Sequence, residues 1–362
     1  MHMKAAVCYA LGQPLVVEEI TIDPPQRGEV LVRLRASGIC HSDIHLVRGD
    51  WGDTLPVVAG HEGAGVVAEV GAGVVGIRTG DHVVVSLLRS CGRCFYCTHD
   101  APYLCAGEFA LETENRLHTQ GGDTIYQGID TAAFAEYVVV DQSQVVPIPA
   151  DLAFEPAALL ACGVITGFGA VVNTAQVPAG SSVAVFGIGG VGMNAIQGAV
   201  ICGADPIIAI DVVEAKLALA SAFGATHTVA ASAPDIRAII RELTGGRGVD
   251  YAIVTVGSTA AMEQALRIIR PLGTAVLVGL PQKAAKLPVR VYSFVLQGQR
   301  IISSFMGSSR PHADIPHLVA LYRQGQLKLD ELITARYSLQ QINTAIEVME
   351  TGAALRNVIV FD

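Results

Sequence analysis

The stretch from Val183 to Asp211 constrains the fold of this chain more than any other. Val183 to Phe186 is a short, continuous apolar run. Gly187-Ile188-Gly189-Gly190-Val191-Gly192 follows, Met193 to Cys202 is helical in pattern, and Ile207 to Ile210 is apolar again. A GxGxxG string by itself is weak evidence and can be an ordinary structural turn. Placed between a strand and a helix, with Asp211 ending the next strand nineteen residues after the last glycine, it is a dinucleotide fingerprint. Gly187 allows the tight turn, Gly189 lets a pyrophosphate approach the backbone, and Gly192 permits close helix–strand packing. The helix N-terminus offers unpaired N–H groups and a favourable dipole to the phosphates. Asp211 can accept from both ribose hydroxyls and would repel a 2′-phosphate, which favours NAD over NADP. Alternation continues with Asp250–Val254, a helix over 260–269, a strand over 274–278 and an apolar run around Ile301, completing a doubly wound parallel sheet.

A second stretch, Gly38 to Gly65, carries chemistry. Cys40, His41, Ser42, Asp43 and His45 fall within six positions, and His61-Glu62 arrives inside a small, apolar run. A lone cysteine is more often core than ligand, but thiolate and imidazole together are what Zn²⁺ takes, and three firm protein ligands leave a fourth position open. Cys162, in the Gly-flanked segment LLACGVITGFG, is the candidate for the third ligand. A third feature is Cys91-x2-Cys94-x2-Cys97-x7-Cys105. Four close thiolates suit a closed, structural zinc site. Core cysteines, disulfides and an iron–sulfur cluster are the alternatives, the last with a spacing unlike the usual ferredoxin runs. Cys8 and Cys202 read as core.

With 362 residues, two domains are expected. Short apolar runs over 4–35, 60–85 and 134–148, with glycine or proline at the corners, predict a small antiparallel, barrel-like first domain. From Phe154 the pattern becomes helical, interrupted by Gly163, Gly167 and Gly169; the apolar part of that run, 157–172, is too short and too broken to predict a membrane span. The tail, 315–352, reads as mostly helical, ending in a strand over 357–361. A net charge of −9 without a basic concentration argues against nucleic acid. The N-terminal segment MHMKAAVCYALG lacks a secretory h-region, so a cytoplasmic location is expected, and a reducing compartment favours metal over disulfides.

On GHEGAGVVAEVGAGV from Gly60, the four-cysteine lobe, the segment around Cys162 and VFGIGGVG, the chain resembles the zinc-containing medium-chain alcohol dehydrogenases over nearly its full length. The resemblance implies a GroES-like, β-barrel-type catalytic domain from residues 1–163 and 305–362, carrying a structural-zinc lobe at 91–105. A Rossmann NAD-binding domain over 164–304 would divide it. It implies two Zn²⁺ per chain. Cys40, His61 and Cys162 match the catalytic zinc ligands, with Glu62 a nearby carboxylate that can reach the metal and Asp43 the group holding His61. Ser42 matches the hydroxyl that takes the substrate proton, and His45 the imidazole that passes it on. His41 and Arg356 match pyrophosphate contacts, and Thr166 a residue packed on the nicotinamide. Lys216 matches a ribose partner of Asp211, with a solvated surface role the alternative for Lys216 and His41. Gly190, Val191, Val256, Val278 and Leu280 complete the implied cofactor contacts.

Trp51, Leu87 and Leu280 match pocket-lining residues, and all are apolar, so a hydrophobic primary or secondary alcohol is the expected substrate. The glutathione-dependent formaldehyde branch is expected to carry polar groups where Trp51 and Phe109 stand. The polyol branch lacks this lobe or the CHSDIH pattern. A non-catalytic nucleotide-binding relative and a metal-free quinone reductase are expected to lack the ligands or the relay. A homodimer or homotetramer is expected, because edge strands of such nucleotide domains pair across a two-fold axis.

Overall fold

The computed structural model describes residues 1–52 and 54–362. It divides into two compact units: residues 1–163, 310–324 and 329–362, and residues 164–309 with 325–328. The chain thus re-enters the first unit at Arg310 rather than at 305, and a four-residue excursion, 325–328, belongs to the second unit.

The first unit begins with β1 (His2–Cys8), β2 (Val16–Ile22), β3 (Glu29–Gly38), α1 (His41–Arg48), β4 (Val57–Val58), β5 (Glu62–Val70) and β6 (His82–Val85). It continues with α2 (Phe95–Thr98), β7 (Leu117–His118), β8 (Thr124–Gln127), β9 (Tyr137–Asp141), β10 (Val145–Pro147) and α3 (Phe154–Leu159). Strands β1-β2-β7-β8-β4 close a small barrel. The second sheet is organised on β3, where the run Val30-Leu31-Val32, Leu34 and the small residues Ala36, Ser37 and Gly38 are buried and only Arg33 and Arg35 are not. Along β3, β5 pairs antiparallel with Ser37 opposite Gly63 and Gly38 opposite Glu62. That register brings Cys40, just past the end of β3, beside His61, just before the start of β5. Phe134, Ile20, Leu34, Leu117 and Ile125 fill the core between these strands; each such burial is worth about 1.5–3 kcal/mol.

The second unit contains α4 (Ile165–Gly169), β11 (Val183–Phe186), α5 (Gly190–Ile201), β12 (Ile207–Asp211), α6 (Glu214–Ala220), β13 (His227–Ala230) and α7 (Ile236–Leu243). Then come β14 (Val249–Val254), α8 (Thr259–Ile268), β15 (Ile269–Leu277), α9 (Val291–Gln297) and β16 (Arg300–Ser303). The strands form one parallel sheet in the order β13-β12-β11-β14-β15-β16. This is the Rossmann arrangement, with β11 and β14 at the point where strand order reverses. All four residues of β11 and all five of β12 are buried, as strands covered on both faces require. The chain returns to the first unit with α10 (Pro311–Arg323), β17 (Ile333–Tyr337), α11 (Ile342–Glu350) and β18 (Arg356–Val360), the last pairing antiparallel with β3.

Three local expectations are corrected. The glycines after Phe154 do not interrupt the helix: 154–174 is helical throughout, with π-type turns at Leu160–Val164 and Ala170–Thr174. They serve close approach instead. A Cβ on Gly163 would meet the Arg356 guanidinium at 2.0 Å, one on Gly167 the Val191 carbonyl oxygen at 2.0 Å, and one on Gly169 the Gly307 carbonyl oxygen at 2.4 Å. The 21-residue run is therefore long and apolar enough to cross a membrane, but 83% of its apolar window is buried inside the protein, which accounts for its composition. The tail contains β17, hidden from sequence because its side chains are partly or fully exposed and give no apolar stripe. Cys8 is buried as expected, whereas Cys202, next to the end of α5, is only partly so.

Asp250 in β14 accepts from the Ser182 backbone N–H (2.8 Å), the Ser182 hydroxyl (2.6 Å) and Arg270 Nε (2.5 Å). Burial would raise its pKa, but the Ser182 and Arg270 bonds outweigh that and hold it below the usual 3.8. A depressed folded value means stability that is present above the unfolded pKa and lost as pH falls through the folded one. Asp250→Asn should cost about 1–2 kcal/mol at pH 7. The gap to wild type in urea midpoints should close below pH 4; an equal gap at pH 7 and pH 3 would contradict this.

Candidate metal centre and nucleotide site

Three strand ends and one π-turn build the buried cluster of the first unit. Cys40 is the N-cap of α1 in extended conformation. Asp43, fully buried on the first turn, accepts from the Cys40 N–H with Oδ2 (2.9 Å) and from the Gly60 N–H with Oδ1 (3.0 Å). The same Oδ1 lies 2.7 Å from Nδ1 of His61. Since a carboxylate only accepts, His61 carries its hydrogen on Nδ1 and turns the Nε2 lone pair inward. Cys162 enters from the π-turn at Leu160–Val164, the kind of helical irregularity found often at functional sites. Glu62 follows His61 on β5, and Gly38 opposite it has no room for a side chain, since a Cβ there would meet Glu62 Oε2 at 2.3 Å.

One ligand atom each from Cys40, His61, Glu62 and Cys162 lies within 4.8 Å of the others. His61 Nε2 and both Glu62 oxygens are buried without a hydrogen-bond partner. Buried polar atoms are normally satisfied, so an unbonded imidazole nitrogen and carboxylate beside two cysteine sulfurs fit a cation such as zinc. The protonation chemistry agrees. The Cys162 thiol, helped by Arg356 and working against burial, lowers the Cys40 pKa well below that of an ordinary thiol, while the bond to Cys40 and burial push Cys162 well up. Burial alone would lower the His61 pKa, but Asp43 raises it well above the usual imidazole value. Burial pushes Glu62 up to about 7 against the pull of Arg356.

Arg356 is deeply buried. It is 3% exposed, at the start of β18, with its guanidinium 3.4 Å from Glu62 and one nitrogen donating to the Ile39 carbonyl (3.3 Å). In the first unit it is a buried counter-charge beside Glu62, Cys40 and Cys162. Ser42 is half-buried on α1; His45, also on α1, bonds to Asp50, and no direct hydrogen bond joins it to Ser42. His41 is exposed on the first turn, Leu87 is partly buried, and Trp51 lies against the His45 ring with centroids 5.3 Å apart.

The four lobe cysteines also come together, with sulfurs within 4.8 Å of one another and none in a disulfide. Backbone N–H groups of Cys94 and Cys91 donate to the sulfurs of Cys91 (3.3 Å) and Cys105 (3.2 Å), and Gly107 N–H donates to Cys105 as well (3.3 Å). Backbone donors lower the Cys94 pKa to about 6, while burial pushes Cys97 up to about 12. These separations suit the edges of a single tetrahedral ion with metal–sulfur bonds of about 2.3 Å; a multi-iron cluster spreads its thiolates further.

In the second unit, Gly187 has φ +86°, and a Cβ there would meet Val256 at 2.2 Å. Gly189 faces open space, and a Cβ on Gly192 would meet the Gly187 carbonyl oxygen at 1.9 Å. The three roles expected of these glycines all have a geometric basis, and α5 starts at Gly190 with Val191 half-exposed beside it. The Asp211 carboxylate, at the end of β12, accepts from Ile188 N–H (2.5 Å) and Val213 N–H (2.8 Å), which holds it against the glycine loop with acceptor capacity left. Lys216 is 8% exposed on the first turn of α6, so a solvated surface role is excluded. Thr166 donates to the Met306 sulfur (3.6 Å). Val278 and Leu280 line a cavity of about 280 Å³ beyond β15, with Met262, Phe305 and Lys286; Leu280 and Val256 are otherwise exposed. Asp50 is the residue the sequence reading missed. Its signal is the Gly49-Asp50 pair directly after a helix bearing His45.

Residues 26–150 match the alcohol dehydrogenase GroES-like domain and residues 190–324 the zinc-binding dehydrogenase family. The putative alcohol dehydrogenase D of Mycobacterium tuberculosis is 40% identical over 370 residues, covering 99% of this chain and 100% of that protein. The NDMA-dependent alcohol dehydrogenase of Amycolatopsis methanolica is 39% identical over 368 residues and 99% of each chain. The crystal structure of benzyl alcohol dehydrogenase from Acinetobacter calcoaceticus superposes with a TM-score of 0.93 at 33% identity, over 100% of both chains. Similarity of this degree along the whole length makes the chain a member of the zinc-dependent medium-chain alcohol dehydrogenase family, an oxidoreductase acting on alcohols.

Proposed function

We propose that the chain oxidises a hydrophobic primary or secondary alcohol reversibly to the aldehyde or ketone, with one zinc at Cys40, His61 and Cys162, a second in the cysteine lobe, and NAD as hydride acceptor. The observation that carries this is the set of four buried ligand atoms within 4.8 Å whose nitrogen and carboxylate members make no hydrogen bond. Zinc held there would supply Lewis acidity at an alcohol or carbonyl oxygen, and bound nicotinamide would supply the hydride chemistry. Asp43 fixes the tautomer of His61, and Arg356 balances the buried negative charge of Glu62 and the cysteines. Ser42 and His45 are the groups on α1 able to hold and move the proton released from the alcohol. Asp211 is the specificity element for the ribose, since its charge opposes a 2′-phosphate.

The apolar Trp51 and Leu87 support a hydrophobic substrate, and the similar Acinetobacter enzyme makes benzyl alcohol the first to try. NADH formation should appear with a panel of primary, secondary and benzylic alcohols, with kcat/KM for NAD at least about tenfold above NADP. An added arm with NDMA covers the dependence named in the Amycolatopsis relative. Turnover with NADP alone, or none on any alcohol by zinc-loaded protein, would sink the reading.

We also infer a homo-oligomer. In the second unit β16 is an open sheet edge, and Val291, Tyr292, Val295 and Leu296 of α9 are exposed, more apolar surface than a solvated helix carries. A single-chain mass by sedimentation at micromolar concentration would remove this inference.

A further inference from the structure

Helix α1 ends in a reversal that returns the chain onto its own last turn. Gly49 N–H donates to Leu46 O (2.9 Å) and Asp50 N–H to His45 O (3.0 Å), the paired bonds of a Schellman cap. Gly49 has φ +83°, and a Cβ there would meet Leu11 at 2.6 Å, so glycine is required on both counts. The reversal sets Asp50 Oδ2 2.6 Å from Nδ1 of His45. Trp51 lies against the imidazole with ring centroids 5.3 Å apart, bounding the ring on one side. The His45 side chain is 38% exposed, so the ring reaches water while its Nδ1 side is engaged.

The other charged groups of α1 and the elements packed on it have different partners. Asp43 holds His61, Arg48 pairs with Glu350 of α11, and Asp130, next to α1 in space, pairs with Arg89. His41 stands exposed one turn before His45. Among the described residues, Asp50 is the carboxylate within ion-pairing distance of the His45 ring.

We propose that Asp50 is a positioning residue for proton transfer by His45. A carboxylate oxygen accepts and cannot donate, so the hydrogen of neutral His45 sits on Nδ1 and the Nε2 lone pair is the free one. That is the tautomer able to receive a proton. On alcohol oxidation, a bound nicotinamide would take the C–H hydrogen with both bonding electrons as hydride, leaving the hydroxyl proton for the protein to carry. The O–H bond breaks, and the proton is relayed to Nε2 of His45. The ring, then positive and facing the Asp50 carboxylate, returns the Nε2 proton to solvent. This deepens the alcohol-oxidation reading and rests on it.

The test uses the full-length protein labelled with ¹⁵N in its histidines, with the His45 signals identified by their loss in His45→Gln. Wild type should show the Nδ1–H tautomer at a pH where the ring is neutral. Asp50→Ala should revert to the Nε2–H form that free imidazole side chains favour in water. It should also lower kcat for alcohol oxidation about tenfold or more with KM within about twofold, and Asp50→Glu should recover part of kcat and of the tautomer. An active wild type whose Asp50→Ala variant keeps both tautomer and kcat, losing only thermal stability, would overturn the proposal and leave the alcohol reading standing. A wild type inactive on every alcohol, in which Asp50→Ala still switches the tautomer, would support the positioning geometry and overturn its use in alcohol oxidation.

Discussion

Cys40→Ala should remove one zinc per chain and lower kcat/KM for alcohol oxidation by at least about 10³-fold. The magnitude follows from the Lewis-acid contribution of several kcal/mol, at about 1.4 kcal/mol per factor of ten. Cys40 is the thiol of the buried cluster whose pKa the site pulls down, through Cys162 and Arg356, so it is the one prepared for a cation. Its loss leaves His61 Nε2 and Glu62 facing each other in a buried space with Arg356 as the remaining charge. The fold should survive. The pairing of β3 with β5 and β18 does not pass through the Cys40 side chain, and the change removes a single sulfur atom. Circular dichroism of the variant should match wild type, and elemental analysis should find the lobe zinc still present. Retained turnover with retained zinc would place the catalytic metal elsewhere.

Cys94→Ser should unfold the lobe at 91–105 while leaving the barrel intact. Helix α2 is four residues long and buries none of them, too short to persist on backbone hydrogen bonds alone. On the two-zinc reading, sulfur ligation would order this segment, and metal binding would then be folding free energy for it. The expected result is cleavage by a non-specific protease within 91–105 at least about tenfold faster than in wild type, reproduced in wild type by a strong chelator. Acid should act in the same direction. Each sulfur must lose its proton to hold zinc, so protons compete with the metal as pH falls and favour its release. A lobe equally protected with and without zinc would contradict the assignment.

The parts of this architecture most legible in sequence were those in which local pattern and tertiary role coincide. Val183–Phe186, the glycine loop and Asp211 could be placed because a buried parallel strand, a tight turn and a strand-end carboxylate each leave a mark within a few residues. The candidate ligands stood out because thiol and imidazole recur at short spacing inside small, apolar runs. What escaped was set by register and close approach. Nothing in spacing shows that Gly38 lies opposite Glu62, or that β18 returns beside β3 and sets Arg356 against Glu62. Gly163, Gly167 and Gly169 look like helix breakers, yet each gives way to a neighbouring group, which is a tertiary property. The alternating, largely exposed edge strand β17 offers no apolar period, and Gly49-Asp50 resembles any helix stop until its carboxylate is seen on His45.

The most direct test of the two-metal site is zinc per chain by elemental analysis of purified, desalted protein, measured for wild type and Cys40→Ala side by side. The account predicts two zinc ions in wild type and one in the variant. One zinc in both would show that only the cysteine lobe binds metal, and the buried cluster at Cys40, His61 and Cys162 would have to be explained without it.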